Sequence, residues 1–148
     1  MGIRFLKIAA VYLAIGVSMG LAMGIVMGIT HQFVLAPVHA HINLLGWATM
    51  ALAGLIYGQF PAAAQTWLAK IHFWVHNAAL PVMMVALAFL LSGYEKALYF
   101  LEPASMAMVI AILLFVVNVC INVRPEGEAR NQDARRAGGR PVTAGAVS

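Results

Sequence analysis

Four runs of mostly apolar residues, each long enough to cross a bilayer core, limit what this chain can fold into. A transmembrane helix needs about 20 such residues, and the runs cover residues 5–29, 38–60, 68–91 and 103–123. The first, Phe5 to Ile29, carries no charge after Lys7. The second is opened by Pro37 and closed by Pro61, boundary positions that proline tolerates. The third is closed by Ser92-Gly93 and holds Pro81, which removes a hydrogen bond to the Asn77 carbonyl and predicts a kink there. The fourth starts at Pro103 and stops at Arg124-Pro125. These features predict an all-α integral membrane protein: a four-helix transmembrane bundle over residues 1–123. The tail 124–148 turns to Arg, Glu, Gly and Ala without an apolar period, which predicts disorder.

A cleaved signal peptide is the rival reading of the first run, because Arg4 and Lys7 form a basic start. The run is longer than a signal h-region of about 7–15 residues, and no good A-x-A cleavage site follows it.

Composition narrows the function classes. The chain is 63% apolar and 9% charged, against roughly 45–50% and 25% in soluble domains. A soluble enzyme, a disordered regulator and a nucleic-acid binder are excluded, despite the net charge of +4. The single cysteine, Cys120, excludes an intrachain disulfide, and its apolar surroundings argue against a zinc cluster.

Four spans place both termini on one side. Arg4, Lys7, Lys70, Arg124, Arg130, Arg135, Arg136 and Arg140 then share that side, and only Lys96 lies opposite, beside Glu95 and Glu102. By the positive-inside rule both termini face the cytoplasm, as in a multi-pass protein of a bacterial-type inner membrane. Topology and anionic lipid account for the basic tail without a nucleic acid.

Gly16, Gly20, Gly24 and Gly28 recur every fourth residue along the first run, with Met19, Met23 and Met27 as an adaptable ridge beside them. Small residues at this spacing let helix backbones approach closely. Packing inside the chain's own bundle, homo-oligomerisation and close approach of a flat cofactor all remain compatible with the stripe.

Five histidines stand out in so apolar a chain: His31, His39, His41, His72 and His76. Ionisable groups in membrane spans are costly and mark functional sites, and imidazole is a frequent axial ligand of heme iron. A lone histidine is more often a hydrogen-bonded structural residue, but four of these form two pairs. His39 and His41 point roughly 200° apart on a helix of 3.6 residues per turn, so they address opposite faces. His72 and His76 share a face, a spacing that can hold one metal or one hydrogen-bonding row. The helical rise predicts roughly 20 Å between His41 and His76 along the membrane normal. His31, Met106 and Met108 are expected at the depth of His39 and His41, as sources of a second ligand.

The stretch His39-Ala40-His41-Ile42-Asn43-Leu44-Leu45-Gly46-Trp47, followed by Gly54, Tyr57 and Pro61, resembles the tenth transmembrane helix of catalytic subunit I in C-family heme–copper oxidases. The related nitric oxide reductases share that pattern. Ile71-His72-Phe73-Trp74 resembles the start of the next helix, and the fourth run, with Asn118 near its end, resembles the last. The likeness covers residues 37–123, with the first run standing for the helix before them. It implies that His39 ligates a high-spin heme beside copper and that His41 ligates a low-spin heme, both toward the outer face. It assigns no metal role to His72 and offers no counterpart for His76. The family's copper ligands and its other low-spin heme ligand lie on earlier helices without counterpart here, so copper is not expected within one chain.

Three functions follow as expectations. The first is a small membrane protein binding heme b through His39 or His41, serving electron transfer, redox sensing or heme handling. In that reading a homodimer packed through the glycine stripe could supply a second ligand. The second is a non-catalytic accessory or assembly subunit of a respiratory oxidase or nitric oxide reductase, its histidines bonding across helices and Trp47, Tyr57 and Trp74 acting as anchors. The third, reduction of nitric oxide or oxygen, needs a high-spin heme with an adjacent metal built across chains. His72 and His76 are the weaker metal candidates.

Overall fold

The computed structural model describes residues 1–124 and is built from helices, with no strand among those residues. Four of them are long and apolar enough to cross a membrane: α1 (Gly2–Thr30), α2 (Ala36–Gln59), α3 (Trp67–Leu91) and α4 (Glu95–Asn122). The tail expected to be disordered lies, apart from Arg124, outside the described residues.

Local chemistry sets the helix ends. Pro37 occupies the first turn of α2 and Pro61 opens a short helix, Pro61–Ala64, after it. Thr66 caps α3, its hydroxyl accepting from the Ala69 N–H at 3.1 Å. At the far end of α3, Gly93 takes φ +95°, a conformation open to glycine and strained for other residues. The Gly93 N–H bonds to the Leu90 carbonyl at 3.0 Å and the Tyr94 N–H to that of Phe89 at 3.0 Å. Tyr94 and Phe89 stack edge to face at 5.6 Å, completing a Schellman motif with its hydrophobic contact.

Two expectations change in detail. Pro103 does not open the fourth helix; α4 begins with a 3-10 turn at Glu95 and runs through Pro103. The second run is not uniform either. An α-helical segment carrying His39 and His41 passes into eight residues of π-helix, Ile42–Thr49, before α-geometry resumes at Met50. Hydropathy does not register such a change, because the apolar pattern is the same in both geometries. π-Turns cluster at functional sites.

Helix α1 packs on α2, and α3 packs on α4 along most of its length. One core cluster gathers Phe5, Ala9, Met50, Ala53, Tyr57, Ala69 and Phe73 near the Met1 end. A second joins Val38, Ile42, Leu80, Met83, Met84, Ala104 and Met108 near the His31 end. The glycine stripe divides between two environments. A methyl group at Gly16 would sit 2.6 Å from Asn43 Oδ1, and one at Gly20 would sit 2.6 Å from His39 Cε1. At Gly24 and Gly28 it would meet nothing within 4 Å. Half the stripe therefore serves the chain's own bundle, and the other half is bare. Gly46 and Gly54 complete the seam from the α2 side, lying against Tyr12 and Leu6 of α1.

Candidate functional site

The turn before the π-helix sets the directions of His39 and His41. His39 is half-buried and its ring lies over Gly20 of α1. Asn43 holds the His39 carbonyl at 2.9 Å, with its amide nitrogen 3.4 Å from the His39 ring nitrogens. His41 takes the other direction. It borders an apolar crevice of about 420 Å³ with Leu45, Met83, Ser105, Met108 and Ile112. The opposed directions expected from two-residue spacing are thus realised against α1 and against the α3–α4 pair.

The hydrogen bonding of His41 defines its chemistry. Nδ1 lies 2.7 Å from the Pro37 carbonyl, which can only accept. Nδ1 therefore carries the proton, and Nε2 keeps its lone pair. A ring nitrogen anchored to a backbone carbonyl is the usual support of a metal-binding histidine, since it fixes tautomer and orientation.

The remaining candidates separate clearly. Met108 is buried and lines the His41 crevice, whereas Met106 is 68% exposed and is not part of it. His31 is exposed beyond the end of α1, with a positive φ of 56°. Met83 and Ser105 enter the crevice without a distinctive spacing to announce them.

His72 and His76 lie elsewhere, fully buried in the bundle. Their ring centroids are 5.4 Å apart, and Phe5 and Phe115 flank His72 at 5.1 and 5.2 Å. His76 Nε2 donates to the Leu45 carbonyl at 3.1 Å. Leu45 is one turn from His41 and also borders its crevice. The His76 ring therefore reaches the turn that follows His41, nearer than the roughly 20 Å expected from helical rise.

On the other side of His72, Tyr57 Oη lies 3.4 Å from Nδ1 and accepts from Asn118 Nδ2 at 3.2 Å. Asn118 also donates to the Ala63 carbonyl at 3.0 Å, and its Oδ1 lies 3.0 Å from the Thr66 hydroxyl and 2.8 Å from Asn122 Nδ2. Asn118 is thus the hub that joins α4 to α2 and to the turn before α3. Tyr12 of α1 donates to Asn77 of α3 at 3.3 Å. Asn118 and Asn122 are the two asparagines of an otherwise apolar run, but the partners of Asn118 come from three separate segments.

Among the described residues, no three or more His, Cys, Asp or Glu side chains gather where they could hold a metal ion. Heme iron makes a smaller demand, one or two axial side chains, because the macrocycle fills its equatorial positions. His41 and its apolar crevice fit that demand, and the crevice volume falls in the range of roughly 300–1,000 Å³ found for small-molecule and cofactor sites. Cys120 is exposed on the outside of α4. No family model, curated protein or solved structure matches this chain.

Proposed function

We propose that this is a small multi-pass membrane protein that binds heme b, with His41 as an axial ligand. The observation that supports this reading best is the anchored imidazole. Nδ1 is held by Pro37, Nε2 keeps its lone pair, and an apolar crevice adjoins the ring. Met108 lines the same crevice, and its thioether would be the intrachain candidate for a second ligand to the group. His39, turned toward Gly20, is the ligand position for a group held on the α1 side.

Bound heme would supply one-electron chemistry for electron transfer, redox sensing or heme handling. The chain's own part would be to fix the imidazole tautomer and to offer apolar side chains beside the ring. In this reading both termini face the cytoplasm and the His39–His41 turn lies toward the outer face of a bacterial-type inner membrane, which the distribution of Lys and Arg supports.

The test is the absorption spectrum of the full chain, purified from heme-sufficient membranes in oxidised and reduced states. A Soret band with heme in fixed proportion to protein is expected. A colourless protein after that preparation would overturn the reading and leave the accessory-subunit alternative, in which the histidines only bond across helices.

A further inference from the structure

Among the described residues, two buried nitrogen atoms have no hydrogen-bond partner from the protein, His72 Nε2 and His76 Nδ1. Both residues are 0% exposed, and such orphans are rare enough to need an explanation. Their protonation follows from the groups on their far sides. The Leu45 carbonyl can only accept, so His76 carries its proton on Nε2 and presents a bare lone pair at Nδ1. The Tyr57 oxygen already accepts from Asn118, and the acceptor that its single hydrogen reaches is His72 Nδ1. His72 therefore carries its proton on Nε2. The two orphans are complementary, one an N–H donor and the other an acceptor.

The rings stand on successive turns of α3 with centroids 5.4 Å apart. A water accepts one hydrogen bond and donates another, so one held between the two rings would pair both nitrogens. We propose that a single buried water joins His72 Nε2 to His76 Nδ1. It completes one directed chain in which Asn118 donates to Tyr57, Tyr57 to His72, His72 to the water, the water to His76 and His76 to Leu45. Every donor in that chain points the same way, toward the turn that follows His41. The inverse arrangement, with the His72 proton on Nδ1, would strand the Tyr57 hydrogen and leave two bare lone pairs, a donor set for a soft cation. The water pairs both ring nitrogens and lets the Tyr57 hydroxyl donate to His72; the cation strands that hydroxyl hydrogen. This site is independent of heme at His41.

Nitrogen-15 NMR of the full histidine-labelled chain in lipid bilayers tests the proposal. Both buried rings should be neutral Nε2–H tautomers, and the His72 Nε2–H should show a cross-peak to a slowly exchanging water. Tyr57→Phe removes the donor to His72 Nδ1, so His72 should become a mixture of tautomers while His76 keeps its own. His76→Phe should abolish the water cross-peak. An Nδ1–H tautomer at His72 in the unaltered chain, a doubly protonated ring, or a missing water contact would each overturn the proposal. So would stoichiometric binding of added Cu(I) that shifts both ring signals. The decisive spectra come from the unaltered chain, so a poorly folding variant leaves the test intact.

Discussion

The Leu45 carbonyl accepts a 3.1 Å hydrogen bond from His76 Nε2 across the α2–α3 contact, and the Leu45 side chain borders the crevice of His41. One residue of the π-helical stretch therefore touches both histidine pairs. The buried pair is the structural neighbour of the proposed ligand site, and the two should respond differently to substitution.

His76→Phe keeps a ring in the core and removes the bond to Leu45. The half-buried Leu45 carbonyl loses a side-chain donor, a net hydrogen bond worth about 0.5–1.5 kcal/mol, so the thermal midpoint in detergent should fall measurably. His76→Gln, whose amide can still donate, should lose less. Equal stability of the His76→Phe chain and the unaltered chain would show that the bond contributes nothing.

His41→Ala should do the reverse. His41 is exposed, and surface substitutions usually stay within about 0.5 kcal/mol. Stability should hold while heme content falls or the spectrum turns high-spin, because a low-spin iron needs two strong axial ligands. Met108→Leu, nearly conserving volume, should alter the spectrum of bound heme and not the fold. An unchanged spectrum and heme content in His41→Ala would reject this ligand.

The sequence displays the parts of this molecule that depend on hydropathy and on local turn chemistry. The four long helices, the proline-marked ends of α2 and the stop at Ser92-Gly93 follow from residues that act within one or two turns. The opposed directions of His39 and His41 follow from helical period alone. What depends on packing is less visible. The π-helix arises in a stretch whose apolar pattern suits either geometry, and the contacts that this stretch makes, Gly46 against Tyr12 and the Leu45 carbonyl against His76, join residues far apart in the sequence. The depth of His76 depends on how α3 slides along α2, and Met108 separates from Met106 only once α4 has its final rotation.

The glycine stripe offers a sharper contrast than its regular spacing implies. Gly20→Leu must push against the His39 ring, where even a methyl group would come within 2.6 Å, and overpacking of this kind costs roughly 1–3 kcal/mol. At Gly24 an added Cβ meets nothing within 4 Å in the same chain. Thermal midpoints should therefore fall for Gly20→Leu and hold for Gly24→Leu. Equal losses at both positions would mean that a second copy covers the bare half of α1, and a smaller particle for Gly24→Leu in sizing experiments would identify it.

Asn118 is the residue whose loss should spread furthest. It is fully buried and bonds to Tyr57, to the Ala63 carbonyl and to Asn122, with the Thr66 hydroxyl 3.0 Å away. Asn118→Leu matches its size and supplies no polar atom. The Ala63 carbonyl then keeps only the Thr66 hydroxyl, 2.9 Å away, and each hydrogen bond lost from α4 costs about 0.5–1.5 kcal/mol net. Tyr57 loses the donor that fixes its hydroxyl, so His72 should lose its single tautomer as well. Asn118→Asp keeps the Oδ1 contacts and removes the donor, which should separate the two effects. The expected order of thermal midpoints puts the unaltered chain highest and both variants below it. Asn118→Asp should fall furthest, because a carboxylate buried beside the Ala63 carbonyl oxygen has neither a counter-charge nor the lost N–H. Amide hydrogen exchange should rise first around Ala63 to Ala69, the turn that Asn118 ties to α4. If protection there is unchanged while α4 itself frays, the hub acts within its own helix and not as the link between segments.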